Sequence, residues 1–381
     1  MATSENITRP FRYRIDRWIR QLAMGVIGWC VRANDGGIAD PDRSSIKKIL
    51  LVRANFRMGN ALLALPAVAG FRNSFPDAQI DFVGSPISAV LFQYQPLNRH
   101  FVAPRRFPGV LWQYPRLIRR LRANRYDMAV DVSCSHSGLC SFIVGFSGAR
   151  IRAGLAGKWD HFFDLKIPKL REENKYLKLT EFFAAMRLET GISVGAMKFS
   201  AAEKTDGLSK LESYLSGKSG KRVGVFVGGR KLRGKRWPVE NFVDLIHGLD
   251  QRRFSVAAFL GPEEKDIADL LRSSLGSRIP LTYEPSVRKF AAMISHLDLL
   301  ICCDSGPMHL ACSVGVPVLA IFQERDVARW APPPSAARVI HGAAGVGAME
   351  VLEAALMELS VNRLTGAFPT VAETKTAVSA G

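Results

Sequence analysis

Apolar runs of strand length recur along the chain, each followed by a turn and then a stretch with helical spacing. In the first half they are KKILLVR (47–53), QIDFVG (79–84), DMAVDVS (127–133) and IRAGLA (151–156). In the second half they are RVGVFVGG (222–229), FSVAAFLG (254–261), LDLLICC (297–303) and VPVLAIF (316–322). Runs this uniformly apolar suit strands buried on both faces, and intervening stretches such as NALLALPAVAGFRNSF (60–75) supply the covering helices. The pattern predicts an α/β protein with two Rossmann-like, doubly wound parallel sheets. A chain of 381 residues exceeds what one core supports. The expected units are a leader and linker (1–45), a first domain (46–205), a second domain (206–362) and a disordered Ala/Thr/Ser tail (363–381).

Residues 11–32 put Phe11, Ile15, Trp18, Ile19, Leu22, Val26 and Ile27 at helical spacing, with Arg12, Arg14, Arg17 and Arg20 largely off that stripe. A basic amphipathic helix of this kind either lies in a membrane interface or packs on its own domain, and both readings stay open. No uninterrupted apolar run reaches about 18 residues, so no bilayer-spanning segment is expected. Without a cleavable signal pattern, the expectation is a cytoplasmic protein, at most peripheral on the inner face of the membrane. Cys30, Cys134, Cys140, Cys302, Cys303 and Cys312 form neither C-x-x-C pairs nor a zinc-spaced cluster. They read as reduced core residues, and no metal site is predicted.

The formal charge of +18 calls for an anionic partner. Arg116, Arg119, Arg120, Arg122 and Arg125 crowd one predicted helix within residues 105–127. No nucleic-acid-binding module or spaced aromatic platform accompanies them, so nucleic acid is not the expected partner. Anionic lipid or an acidic glycolipid explains the charge better.

Residues 297–322, LDLLICCDSGPMHLACSVGVPVLAIF, carry the sharpest chemistry. A buried strand breaks at Asp304-Ser305-Gly306, and Pro307 suits the first position of a helix, where a backbone N–H is dispensable. The unpaired N–H groups of that helix would face the carboxyl end of the strand, where open α/β sheets bind ligands. A phosphate or diphosphate fits: Gly306 allows close approach, Ser305 offers a hydroxyl and His309 can reach the same anion. A second cationic element follows the strand ending in Gly228-Gly229, with Arg230, Lys231, Arg233, Lys235 and Arg236 before Trp237-Pro238. Such groups stabilise charge developing on a departing diphosphate.

DSGPMHLACSVGVP (304–317) resembles the donor-site signature of family 9 glycosyltransferases, D-(S/T)-G-x-x-H-x-A-x-x-x-G-x-P, through Asp304, Ser305, Gly306, His309, Ala311, Gly315 and Pro317. Residues 49–82 resemble the opening strand, glycine turn and helix of that family, and residues 223–242 its K-x-W-P element. The resemblance implies a GT-B fold, two such domains facing a cleft, with the acceptor on the first and a nucleotide-sugar donor on the second. It implies that Lys235 contacts the donor phosphates and that an acid after the strand ending at Gly261, here Glu263 rather than Glu264, receives the donor ribose. Two departures stand out. The family commonly carries a catalytic aspartate right after the glycine of its first turn, where this chain has Asn60 after Gly59; Asp131 and His136 are the alternative bases. FQERD (322–326) replaces a Gly-x-Thr-Asp turn. An amide cannot take a proton at neutral pH, although it can orient a hydroxyl.

The reading expected from the sequence is therefore an inverting, metal-independent glycosyltransferase without a cofactor. It would move heptose from an ADP-heptose-type donor onto a lipopolysaccharide core or related anionic glycolipid. The alternatives are a catalytically weakened glycolipid- or nucleotide-binding protein at the membrane surface and a nucleotide-sugar epimerase of related fold.

Overall fold

The computed structural model describes residues 43–360 apart from 106–108, 189–193, 216–218, 230–233, 324–325 and 343–344. The amphipathic leader, Cys30, the cations Arg230, Lys231 and Arg233, and the tail lie outside the described residues. The first half runs β1 (Lys48–Val52), α1 (Met58–Leu62), α2 (Leu65–Ser74), β2 (Gln79–Gly84), α3 (Pro86–Leu91), β3 (Arg99–Val102), α4 (Val110–Ala123), β4 (Met128–Asp131), α5 (Gly138–Phe146), β5 (Ile151–Leu155), β6 (Leu165–Ile167) and α6 (Leu177–Ala185). Helix α7 (Ala201–Tyr214) leads into β7 (Arg222–Phe226), α8 (Val239–Gln251), β8 (Ser255–Leu260), α9 (Ala268–Leu275), β9 (Leu281–Tyr283) and α10 (Val287–Ile294). The chain continues through β10 (Leu299–Cys303), α11 (Gly306–Val314), β11 (Val318–Phe322), α12 (Val327–Trp330), β12 (Ala337–His341) and α13 (Ala348–Ser360).

Each half forms a six-stranded sheet, with orders β3-β2-β1-β4-β5-β6 and β12-β11-β10-β7-β8-β9. All pairings are parallel, and both sheets have the 3-2-1-4-5-6 order of a dinucleotide-binding fold. The arrangement is GT-B. Two switch points result, between β1 and β4 and between β7 and β10. The central strands are apolar because helices cover both faces: Ile49 to Val52 and Leu300 to Cys303 are fully buried.

The eight apolar runs all carry strands, whereas the expected helical stretch 60–75 is divided. Pro66 near the start of α2 cannot continue the hydrogen-bond ladder of α1, so the chain steps at Leu63 and Ala64. Helix α7, across the expected boundary at 205/206, starts in a capping box of Ser200 and Glu203. It lies tightly on α10, since a Cβ at Gly207 would sit 2.6 Å from the Ala292 backbone. Arg288 of α10 ties this layer together, pairing with Glu203 and donating to the carbonyls of Val90 (3.2 Å) and Lys198 (2.7 Å). The five described cysteines are buried and unpaired with one another, as expected of core thiols.

Candidate active site

A cleft of about 490 Å³ lies where the two sheets' switch points meet. Its first-half wall is the turn Phe56 to Asn60 after β1; its second-half wall includes Gly229, Lys235, Glu263, Asp304, Ser305, Gly306 and His309. Of the glycines expected at the site, Gly228 lies outside that lining, as does the cation Arg236.

The glycine turn after β7 is tight because its neighbours leave no room. A Cβ at Gly229 would sit 2.7 Å from the Lys235 carbonyl oxygen, and one at Gly228 would sit 2.7 Å from Glu264 Oε1. Buried Glu264 clamps two turns, accepting from the N–H of Gly229 (3.3 Å) and of Gly261 (2.9 Å). Burial raises its pKa, opposed by these bonds and by Arg236. Glu263 stands exposed beside it on the cleft wall. Two adjacent acids thus divide into a structural clamp and an open carboxylate. Trp237, fully buried, donates Nε1–H to the Val346 carbonyl at 2.7 Å and so anchors the segment that carries Lys235.

Because β7 and β10 are neighbours, Lys235 meets Asp304. Its Nζ donates to Asp304 and lies 3.4 Å from Asp326 Oδ2. Burial raises the Asp304 pKa while Lys235 pulls it down. Lys235, expected to contact the donor phosphates, is thus partnered by carboxylates, and Ser305, expected to offer its hydroxyl, donates its Oγ–H to the Cys303 carbonyl at 3.0 Å. Helix α11 has Ser305 as N-cap with no side-chain cap bond and Pro307 in its first turn, so its leading N–H groups remain available. The FQERD segment, which departs from the Gly-x-Thr-Asp turn of the family, supplies Asp326 to the lysine.

His309 is the joint between the two walls. It is buried, its Nδ1 pairs with the Tyr176 hydroxyl, and its ring lies 6.1 Å from that of Trp330. A Cβ at Gly59 would come within 2.5 Å of His309 Cδ2. Only glycine lets the acceptor-side turn lie against this ring. Burial, then the Lys235 charge, lowers the His309 pKa to about 4. The imidazole is therefore neutral near pH 7, with Nδ1 engaged by the Tyr176 hydroxyl. Burial holds the Tyr176 hydroxyl protonated, well above its ordinary range.

Asn60 lies on the opposite wall. Its Nδ2 donates to Asn55 Oδ1 at 3.3 Å, and the same oxygen accepts from the Arg57 N–H at 3.0 Å. That leaves Asn60 Oδ1 as a hydrogen-bond acceptor. Neither alternative base reaches the cleft lining. Asp131 is buried at the end of β4, accepting from the Ser133 N–H at 2.9 Å, with its pKa raised by burial to about 7. His136 sits beside Gly157.

Beyond His309 a cationic group gathers around one indole. Lys175 Nζ lies 6.0 Å and Arg329 Cζ 5.5 Å from the Trp330 ring centroid. Lys175 N–H also donates to the Arg329 carbonyl at 2.9 Å, while Asn174 Nδ2 donates to Ala328 (3.2 Å) and Ala331 (2.9 Å) carbonyls. Burial, then Lys178 and Arg329, lowers the Lys175 pKa to about 8. Sequence reasoning missed Tyr176, Lys175 and Trp330, which no motif flags. Among the described residues no group of three or more His, Cys, Asp or Glu side chains is placed to hold a metal ion, and no helix is long and apolar enough to cross a membrane.

The chain has relatives in sequence and in fold. It is 22% identical over 288 residues to lipopolysaccharide heptosyltransferase 3 of Escherichia coli, covering 72% of this chain and 83% of that one. To lipooligosaccharide heptosyltransferase 2 of Campylobacter jejuni it is 25% identical over 283 residues, 72% of this chain and 81% of the relative. The fold matches a family 9 glycosyltransferase from Veillonella parvula with a TM-score of 0.71 at 17% identity, over 82% of this chain and 97% of that one. It matches ADP-heptose lipopolysaccharide heptosyltransferase II of E. coli at a TM-score of 0.66 and 18% identity, over 82% and 98%. Residues 114–353 match the model of glycosyltransferase family 9 (heptosyltransferase), so the chain belongs to that family.

Proposed function

We propose that the protein is an inverting, metal-independent glycosyltransferase that moves heptose from an ADP-heptose-type donor onto a lipopolysaccharide core or related anionic glycolipid. The observation that carries this reading is the contact of Gly59 with His309, which puts a hydroxyl-orienting turn and an anion-binding helix on one cleft. The donor diphosphate would lie over the start of α11, its charge met by backbone N–H groups and by Lys235; with the Tyr176 O–H donated to Nδ1, the neutral His309 would add its Nε2–H. Glu263 is open to accept from the donor ribose.

The acceptor hydroxyl would donate to Asn60 Oδ1, aligning its oxygen behind the anomeric carbon. That hydroxyl oxygen forms the new bond while the bond from the anomeric carbon to the diphosphate breaks; the nucleoside diphosphate departs toward Lys235, and the hydroxyl proton, which the amide cannot take, passes to water or to the departing diphosphate. A single in-line displacement inverts the anomeric centre. The cations around Trp330 are suited to negative charge on the acceptor. Two relatives' names, for transferases of lipopolysaccharide and lipooligosaccharide, support this acceptor class. The amide at position 60 favours one alternative, a weakened enzyme that binds nucleotide or glycolipid without turning over. Mass spectrometry of the outer-membrane glycolipid from a deletion strain separates them: loss of one heptose supports transfer, and an unchanged glycolipid removes it.

A further inference from the structure

Helix α4 (Val110–Ala123) has one side in the core and one that meets nothing acidic. Leu117 and Leu121 are buried against the first sheet, while Trp112, Arg116, Arg119 and Ala123 are exposed at spacings of four, three and four residues, one continuous stripe. Arg120 and Arg122 flank the stripe and Arg125 follows it, all exposed. Residues 103–125 contain no aspartate or glutamate. None of the five arginines pairs with a described carboxylate. Two acids at the segment that follows the helix are already engaged: Asp81 accepts from the Tyr126 hydroxyl, and Asp127 accepts from the N–H groups of Lys47 and Lys48. Like charges three and four residues apart repel, so the helix carries a standing cost that an anionic surface would relieve. Trp112 is 48% exposed, an aromatic that suits a headgroup layer.

We propose that this face of α4 docks the protein on an anionic lipid bilayer, with Trp112 at headgroup depth and the arginines on lipid phosphates. The position serves the cleft. Helix α4 follows β3, so its first turn lies at the carboxyl end of the sheet. On that side Arg105 Cζ stands 5.1 Å over the ring of Phe56, a cleft residue. A glycolipid held in the same bilayer would thus present its sugar at the mouth of the cleft. The acceptor side of this inference rests on the transferase reading; the docking itself does not.

The test is co-sedimentation of the full chain with vesicles of phosphatidylglycerol and phosphatidylcholine, or of phosphatidylcholine alone, at low and high salt. Native protein should bind the anionic vesicles, weakening as salt rises. Arg116→Gln/Arg119→Gln/Arg122→Gln should lower that binding roughly a hundredfold, about fivefold per arginine at about 1 kcal/mol each. ADP affinity should be unchanged, as should transfer to a water-soluble core oligosaccharide. Equal binding by the native and triple-variant proteins, or equal binding to neutral vesicles, would overturn the proposal. So would a triple variant that loses duplex DNA or RNA binding but keeps its vesicle binding, which would assign the face to nucleic acid. Salt-sensitive vesicle binding in a protein that neither binds ADP nor transfers sugar would leave docking standing and remove the enzyme.

Discussion

Replacing Gly59 by alanine should separate stability from activity. In α1 an alanine is favoured over glycine by about 1 kcal/mol through lost chain entropy. Against this, the new methyl would lie 2.5 Å from His309 Cδ2, well inside ordinary contact. The imidazole cannot swing aside cheaply, because Tyr176 holds its Nδ1 and Trp330 stands close on the ring. Overpacking of this kind costs about 1–3 kcal/mol. The two effects nearly cancel, so urea unfolding should show a loss of no more than about 2 kcal/mol. The walls, however, must part by roughly 1 Å, and a misplacement of that size costs about a hundredfold in rate. Steady-state transfer assays should therefore show kcat/KM down by that factor in a folded protein. In Gly59→Ala/His309→Ala the clash is relieved, so the two effects should be strongly non-additive. Native kcat/KM in Gly59→Ala would refute the proposed meeting of the two walls.

Lys235→Ala should weaken ADP binding by about 1–3 kcal/mol in calorimetry, and it also strands the buried Asp304 carboxylate. Adding Asp304→Asn should restore stability but not affinity; recovery of both would take Lys235 out of the donor site. Tyr176→Phe leaves His309 Nδ1 without its hydrogen-bond partner at a cost of about 1–3 kcal/mol, and nitrogen NMR of labelled histidine should show the imidazole leaving its single tautomer. An unchanged spectrum would remove Tyr176 from that role. His309 and His100 both have pKa values lowered to about 4 from 6.5, so their stability contribution is complete above pH 6.5 and is lost as pH falls toward 4. Asp131, raised to about 7, binds its proton more tightly when folded and works in the opposite sense. Unfolding free energy should fall between pH 6.5 and 4, and more steeply in Asp131→Asn; a shallower fall in that variant would contradict the assignment.

The central strands were legible because double-sided burial writes uninterrupted apolar runs. Strands β3, β6, β9 and β12 were not: the first three are only three or four residues long, and all four have partly exposed positions, Arg99 and Val102 of β3 for example. Asp304, Gly306 and His309 could be read because they share one strand-turn-helix. The pairing of Lys235 with Asp304 joins residues 69 positions apart and follows from β7 lying beside β10, which no local pattern encodes. Tyr176 sits in the polar run REENKYLK and gains its role only when the loop from Asn174 bonds to α12. Glu263 and Glu264 look alike in sequence; their difference is burial.

Asn60→Asp bears on how the reaction runs, and transfer by the unmodified protein bears on whether it runs. With the hydroxyl cradle intact, a carboxylate at position 60 should raise the rate, by about 10²–10⁴-fold if no other base serves. The most direct measurement is mass spectrometry of a purified heptose-deficient lipopolysaccharide core after incubation with the native protein and ADP-heptose. The prediction is a gain of one heptose, with ADP released in equal amount and the anomeric configuration inverted. Tight ADP or glycolipid binding, with no mass gain from this or any other nucleotide sugar, would contradict transfer and leave a binding protein on a glycosyltransferase scaffold.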